Sequence, residues 1–183
     1  FFSHGVKKRY VGNQVWPKES MLVRGYETRR TDAFPAQVSA LEDIFGKLMA
    51  RDIDNALESS QDWVTRISKG EVAKDQMVIS KTVNLSRKYV NEDNQAHLQA
   101  YKKYIETGRP FVSGMKISFI VTNANVSPMI VEPYIPEEEC PEPDYNYYAD
   151  RIAKSLSRLT EVFDWDEKAL KKGKRAPKQQ TLF

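Results

Sequence analysis

The sequence predicts an α+β fold in which a short β-hairpin precedes a mostly helical region with a small β insert and a flexible C-terminal tail. Three observations support this prediction. Two β-prone runs near the N-terminus flank turn residues, several segments repeat apolar residues at helical spacing, and one segment alternates apolar and polar residues. At 183 residues, the chain has room for one domain, or one domain with a tail.

The β-hairpin is predicted at the N-terminal end of the chain. The two candidate strands are residues Val6 to Val11 and Met21 to Arg29. Between them lie Gly12, Asn13 and the pair Trp16-Pro17, which are residue types that favour turns. We therefore expect the chain to reverse direction in this stretch.

Helices are predicted wherever apolar residues recur at helical spacing. The first follows Asp32 and has Pro35 in its first turn, where a missing N–H costs nothing. The apolar stripes of the four predicted helices are Val38, Leu41, Ile44, Phe45, Leu48 and Met49; Ile53, Leu57, Val64 and Ile67 (helix from about Asp52 to Ser68); Leu98, Tyr101 and Ile105 (Asn94 to Thr107); and Tyr148, Ile152, Leu156, Leu159 and Phe163 (from Asp144).

The small β insert is predicted between the third and fourth helices, with one short strand before them. Lys116 to Thr122 alternates as a strand should, and Met129 to Val131 is its return strand. Met77 to Ile79 is a further candidate strand. The proline-rich, acidic stretch from Pro133 to Pro143 must be a loop. From Lys171 onward no periodicity remains, and we expect a flexible linker.

Charge is segregated along the chain although the formal net charge is only +3. Residues 1–30 contain seven Lys or Arg against two Glu, residues 132–144 contain six acids and no base, and residues 168–178 contain six bases and no acid. Basic clusters attract polyanions through counterion release, so nucleic acid is a candidate partner. On charge alone, ordinary solvated surfaces explain the pattern equally well.

No catalytic or metal-ligating set stands out in the sequence. There is no phosphate-binding glycine loop, and Cys140 has no basic neighbour in sequence, which predicts an inert thiol. His97 is expected at the surface or in a polar contact. The carboxylate pairs Asp52/Asp54 and Asp164/Asp166 are expected at helix ends, where acids cap or stabilise, rather than at a metal. No apolar run is long enough to cross a bilayer, so no membrane partner is expected.

Several motifs, taken in order, resemble the C-terminal part of archaeal family B DNA polymerases. Gly5–Tyr10 (GVKKRY) and Arg24–Asp32 (RGYETRRTD) are similar to a Lys-Lys-Arg-Tyr palm strand and to an Arg-Gly-x-Glu-x-x-Arg-Arg-x-Asp stretch that leads into the thumb. Ser80–Tyr89, Ala96–Tyr104, Gly114–Val121 and Asp144–Tyr148 resemble successive thumb motifs, although the family often has proline where this chain has Arg87. The resemblance covers about residues 6–170.

The resemblance implies a division of the chain and a set of DNA contacts. Residues 1–31 would be the end of the palm, with the hairpin completing a palm sheet, residues 32–170 the thumb, and residues 171–183 a basic linker. Polymerases grip duplex of any sequence through phosphate and minor-groove contacts. The implied DNA-binding residues are Lys7, Lys8, Arg9, Tyr10, Arg24, Arg29, Arg30, Lys81, Arg87, His97 and Lys102. The alternative for the strand residues is a charged, solvated sheet edge.

The resemblance also implies partners outside this chain. The catalytic carboxylates and the fingers lysine of the family are missing here, so no catalytic residue is expected in this chain. A large polymerase chain with exonuclease, palm and fingers would then hold Mg²⁺ at its own active site. We expect either a fragment or the small subunit of a split polymerase; the alternative is a non-catalytic module that binds duplex DNA and tethers it to a sliding clamp. A cytoplasmic, nucleoid-associated location would follow.

The last five residues suggest a further partner. Gln179, Leu182 and Phe183 resemble the first part of a motif that binds the sliding clamp PCNA, in which an apolar plug and a glutamine anchor the peptide. The preceding basic linker would give reach. The sequence stops before the two aromatic positions of the motif.

Overall fold

The described part of the chain, residues 9–15, 17–18, 20–26 and 32–172 of a computed structural model, begins with the predicted β-hairpin. Strands β1 (Tyr10–Gln14) and β2 (Ser20–Arg24) pair antiparallel. The prediction is wrong for Gly12 and Asn13, which lie within β1 rather than in the turn. Val11 is buried and lies opposite Val23. The ladder that contains this pair continues through Gly12 and Asn13 to Gln14, which lies opposite Ser20.

Five α-helices follow within the described residues, and the first four are the predicted ones. Their bounds are α1 (Pro35–Met49), α2 (Ile53–Ser68), α3 (Ala96–Glu106), α4 (Tyr145–Thr160) and α5 (Glu167–Lys172). Helix α1 begins with Pro35 in its first turn after the extended Phe34, as expected. Helix α2 is followed by Gly70 at φ +71°, where a Cβ would lie 3.1 Å from the ring of Tyr145. Only glycine fits this position without strain.

Helix α5 differs from the prediction, which placed the start of a flexible linker at Lys171. Leu170 and Trp165 are buried, and Asp166 accepts a hydrogen bond from the N–H of Ala169 at 2.8 Å. Lys171 pairs with Asp150 of α4 at 2.8 Å. One buried leucine in a run of lysines is too short a pattern to reveal a helix of six residues. The rest of the predicted tail, residues 173–183, lies outside the described residues.

A three-stranded antiparallel sheet forms the predicted β insert. Its strands are β3 (Ile79–Thr82), β4 (Lys116–Asn123) and β5 (Ile130–Pro133), with β4 in the centre. The candidate strand at Met77 begins two residues later than predicted. Met77 ends a short 3₁₀ turn and is apolar because it is fully buried beneath α1, not because it lies in a strand. Residues 134–144 form no helix or strand, which confirms the predicted loop except for Pro133, the last residue of β5.

Helix α4 joins the helices to the sheet. It packs against α1, α2 and α5, and its predicted stripe is buried except for Phe163, which lies beyond the helix and is partly exposed. The hydroxyl of Tyr148 accepts a hydrogen bond from the N–H of Val121 in β4 at 2.9 Å. Burial raises the pKa of Tyr148, so this hydroxyl stays protonated. One helix therefore fixes the sheet relative to the helical layer.

Candidate nucleic-acid interface

Three of the predicted DNA-binding residues lie in the described part of the hairpin. Arg9 precedes β1 and is half-buried, and Tyr10 lies directly opposite the exposed Arg24. Residues directly opposite in an antiparallel pair project from the same face, so Tyr10 and Arg24 share one face of the hairpin. The other predicted cations of this region, Lys7, Lys8, Arg29 and Arg30, lie outside the described residues and stay predictions.

A further cation near the hairpin, Arg158, is absent from the sequence-based set. It lies in the last turn of α4 and is half-buried. Burial and the positive charge of Arg9 lower its pKa. Burial raises the pKa of the nearby Tyr26 hydroxyl, and the charges of Arg9 and Arg158 act in the opposite direction. The hairpin and α4 thus bring the charges of Arg9 and Arg158 close enough to interact, and nothing in the spacing of Arg158 along the sequence predicted this.

Three other predicted residues come together on the sheet side of the molecule. Lys81, Arg87 and His97 line one open cavity of about 300 Å³. Lys88 and Tyr89 line the same cavity and are additions to the sequence-based set. The sequence contains them as the SRKY run, where two adjacent bases next to an aromatic residue are a combination typical of nucleic-acid contacts.

Each side of this cavity comes from a different element. Lys81 is an exposed residue of β3 and pairs with Ile117 of β4. Arg87 closes a turn in which its N–H donates to the carbonyl of Asn84 at 3.1 Å. His97 lies in the first turn of α3. A strand, a turn and a helix start therefore converge, which the spacing of these residues in sequence could not reveal.

His97 is buried, so the expectation of a surface position is wrong. Its side chain packs edge-to-face on Tyr89, with ring centroids 5.5 Å apart. Burial, together with the positive charges of Lys81 and Arg87, lowers the pKa of His97 to about 4. The imidazole is consequently neutral near pH 7 and adds no positive charge to the cavity.

Lys102, the remaining predicted contact of this region, is not among the residues that line the cavity. It forms an ion pair with Asp93 at 2.9 Å, and this pair raises the pKa of Lys102. Both side chains are largely exposed. A phosphate would have to compete with Asp93 for this ammonium group.

Cys140 has a basic neighbour that the sequence did not reveal. Lys74, far away in sequence, lies near it and pairs with Glu142 at 2.5 Å. Burial nevertheless raises the pKa of the thiol, which outweighs the opposing effect of the Lys74 charge. The direction of this shift agrees with the prediction of an unreactive thiol.

Three of the four paired carboxylates, Asp52, Asp54 and Asp166, lie at helix starts. Asp52 precedes α2 and accepts a hydrogen bond from Asn55 at 2.7 Å, while Asp166 caps α5. Asp164 instead takes a left-handed conformation at the end of a 3₁₀ turn. Within residues 9–15, 17–18, 20–26 and 32–172, no three His, Cys, Asp or Glu side chains are grouped as metal ligands would be.

Comparison with known proteins identifies the family. The family described as DNA polymerase family B matches residues 5–163, and the chain belongs to this family. The recognition made from the sequence motifs is thereby confirmed.

Two archaeal relatives show how much of a polymerase is represented. The chain is 29% identical to the DNA polymerase of Archaeoglobus fulgidus and covers 23% of that protein with 90% of its own length. It superimposes on the solved family B DNA polymerase of the hyperthermophilic archaeon Pyrobaculum calidifontis with a TM-score of 0.63 at 18% identity, over 85% of this chain and 20% of that one. The chain therefore spans about a quarter or less of these relatives.

No helix in the described part of the chain combines enough length with enough apolar character to cross a bilayer.

Proposed function

We propose that this chain grips primer–template duplex for a family B DNA polymerase during DNA replication. The observation that carries the proposal is the convergence of Lys81, Arg87 and Lys88 on one open cavity in a chain of this family. Residues 1–31 would complete the palm and residues 32–170 would form the thumb.

The chemistry of the cavity suits a phosphate of the DNA backbone. Lys81, Arg87 and Lys88 are exposed, so they can reach a phosphate without losing a buried partner. Ammonium and guanidinium groups bind phosphate irrespective of base sequence, which is what a replicative grip requires. The neutral His97 keeps the number of positive charges constant across the physiological pH range.

The nucleotidyl transfer itself is assigned to residues outside this chain. In this family Mg²⁺ supplies the means of polarising the incoming phosphate and activating the primer end. The described residues offer no grouped carboxylates for such an ion. A large polymerase chain or segment with exonuclease, palm and fingers is the proposed partner. Clamp binding by Gln179, Leu182 and Phe183 also stays a prediction.

A non-catalytic DNA-binding and clamp-tethering module is the second candidate, because the exposed Lys81, Arg87 and Lys88 could bind duplex without a catalytic partner. Purification of the chain from its native cell separates the two. Copurification with a polypeptide that contains an Asp-Thr-Asp active-site motif would favour the polymerase. Recovery of the chain without such a polypeptide would favour the module.

Duplex binding by the 183-residue chain tests the grip directly. Fluorescence anisotropy with two unrelated primer–template sequences should show that Lys81→Ala and Arg87→Ala each weaken binding about 3- to 10-fold, equally for both sequences. Each substitution should also reduce the slope of log affinity against log salt by about 1. The matched control is Lys69→Ala, which removes an exposed charge after α2, away from the cavity lining. Variants that bind like this control would refute the grip.

A further inference from the structure

Tyr89 lines the cavity and contacts two residues of the predicted interface, Arg87 and His97. The guanidinium carbon of Arg87 lies 5.6 Å from the centre of the Tyr89 ring. The imidazole of His97 contacts the same ring edge-to-face, with the two planes 73° apart. The ring of Tyr89 thus connects an exposed cation to a buried side chain.

The hydroxyl of Tyr89 supports the same cation by a second route. It accepts a hydrogen bond from the N–H of Asn84 at 3.0 Å. Asn84 in turn accepts the N–H of Arg87 at its carbonyl and the N–H of Ser86 at its side-chain oxygen, at 3.1 and 3.0 Å. The ring and the hydroxyl of Tyr89 therefore both contact the turn that contains Arg87.

The turn is attached to the sheet at its other end. The N–H of Leu85 donates to the hydroxyl of Ser113 at 2.9 Å, and the N–H of Gly114 donates to the carbonyl of Val83 at 2.8 Å. Val83 is fully buried. These two hydrogen bonds join the start of the turn to the residues that precede β4, so Tyr89 acts on a turn that is also held at its other end.

Stacking on an aromatic ring leaves a guanidinium group able to bind. Where the group lies flat on the ring, the contact uses its face, and its five N–H donors point outward in the plane. An arginine held in this way loses less rotational freedom when it forms hydrogen bonds to phosphate oxygens.

We propose that Tyr89 is a positioning residue, which holds Arg87 ready to contact a DNA phosphate and is itself supported by His97. This inference rests on the proposed grip of duplex DNA. It assigns His97 an indirect role: the imidazole supports the Tyr89 ring instead of meeting the phosphate.

A double-mutant cycle on the full 183-residue chain tests the proposal. Arg87→Ala should weaken duplex binding about 3- to 10-fold, and Tyr89→Leu should weaken it about 2- to 5-fold, as expected for loss of an exposed cation–π contact. The double variant should bind no more than about 2-fold more weakly than Arg87→Ala alone, because Tyr89 acts through Arg87.

The matched control is the same cycle with Lys81, which lines the same cavity from β3. The fold losses of duplex affinity caused by Tyr89→Leu and Lys81→Ala should multiply in the double variant. If Tyr89 had a purely structural role, Tyr89→Leu would lower the thermal stability, and its effect on binding would multiply with that of Arg87→Ala as it does with that of Lys81→Ala. This result would overturn the proposal.

Tyr89→Phe provides a second variant if Tyr89→Leu does not fold. It keeps the ring and removes only the bond to Asn84, so we expect a loss of about 2-fold that again disappears in the Arg87→Ala background. Independent effects of Tyr89→Phe and Arg87→Ala would overturn the positioning role alone. An Arg87→Ala variant that binds like the Lys69→Ala control would instead overturn the grip, and the positioning role with it.

Discussion

The helical layer and the segment 84–95 are held together in opposite ways. Helices α1, α2 and α4 meet through fully buried aliphatic and aromatic side chains such as Ile44, Phe45 and Leu156. Segment 84–95 lies near the surface and is shaped by hydrogen bonds and ring contacts around Asn84 and Tyr89. The difference indicates that stability resides mainly in the first region, whereas the proposed DNA contacts lie in the second, so substitutions should separate the two properties.

The largest expected effect breaks the helical layer. Leu156→Ala removes a fully buried side chain of α4, and the resulting cavity should lower the free energy of unfolding by about 2–5 kcal/mol. Urea denaturation followed by circular dichroism measures this change. Val162→Ala, at a position that is 43% exposed, is the control and should cost little. Duplex affinity is then measured under conditions in which wild type and Leu156→Ala are both folded. If Leu156→Ala lowered this affinity as far as Arg87→Ala does, stability and DNA binding would not be separate properties of the two regions.

A smaller effect concerns the contribution of the recognition region to stability. The pKa of His97 is about 4 in the folded chain and about 6.5 when unfolded. The unfolded state therefore binds the proton more tightly than the folded state. The stability associated with the buried, neutral His97 is fully present above about pH 6.5 and is lost as the pH falls towards 4. Between pH 7.5 and pH 5 the loss should be about 1–2 kcal/mol.

The control for this pH effect is His97→Gln, which has no titrating group at the position. All other titratable groups are the same in both proteins, so the difference between their stability profiles isolates His97. Parallel profiles over this pH range would show that His97 is not held neutral by burial between Lys81 and Arg87.

The smallest expected effect lies at the edge of the helical layer. Asp166→Ala removes the side-chain oxygen that accepts the N–H of Ala169 at the start of α5. Loss of such a cap should cost about 1 kcal/mol. Asp166→Asn, which can still cap, should remain near wild type in thermal denaturation. Equal losses in both variants would mean that the charge, and not the cap, stabilises α5.

The sequence predicts the helical layer better than the interface, for physical reasons. The stripe from Tyr148 to Leu159 repeats with the helical period because one face of α4 is buried, and that period is visible in sequence. The neighbours of His97 and Arg158 come from other elements. The burial of His97 and the proximity of Arg9 to Arg158 therefore could not be derived from spacing. Family motifs identified Lys81 and Arg87, whereas the supporting role of Tyr89 depends on contacts that motifs do not encode.

Asp144 has a consequence for changes in chain length. Its two carboxylate oxygens accept the N–H groups of Ala124 and Tyr147, at 2.9 and 3.1 Å, and its own N–H donates to the carbonyl of Val121 at 2.9 Å. The end of β4 and the start of α4 are therefore joined directly, without help from the acidic loop that connects them in sequence through β5. Insertions or deletions among the exposed residues 136–139 can be absorbed there, since the cost of closing a loop grows slowly with its length. Relatives could thus vary this loop freely while the sheet and α4 keep their relative position.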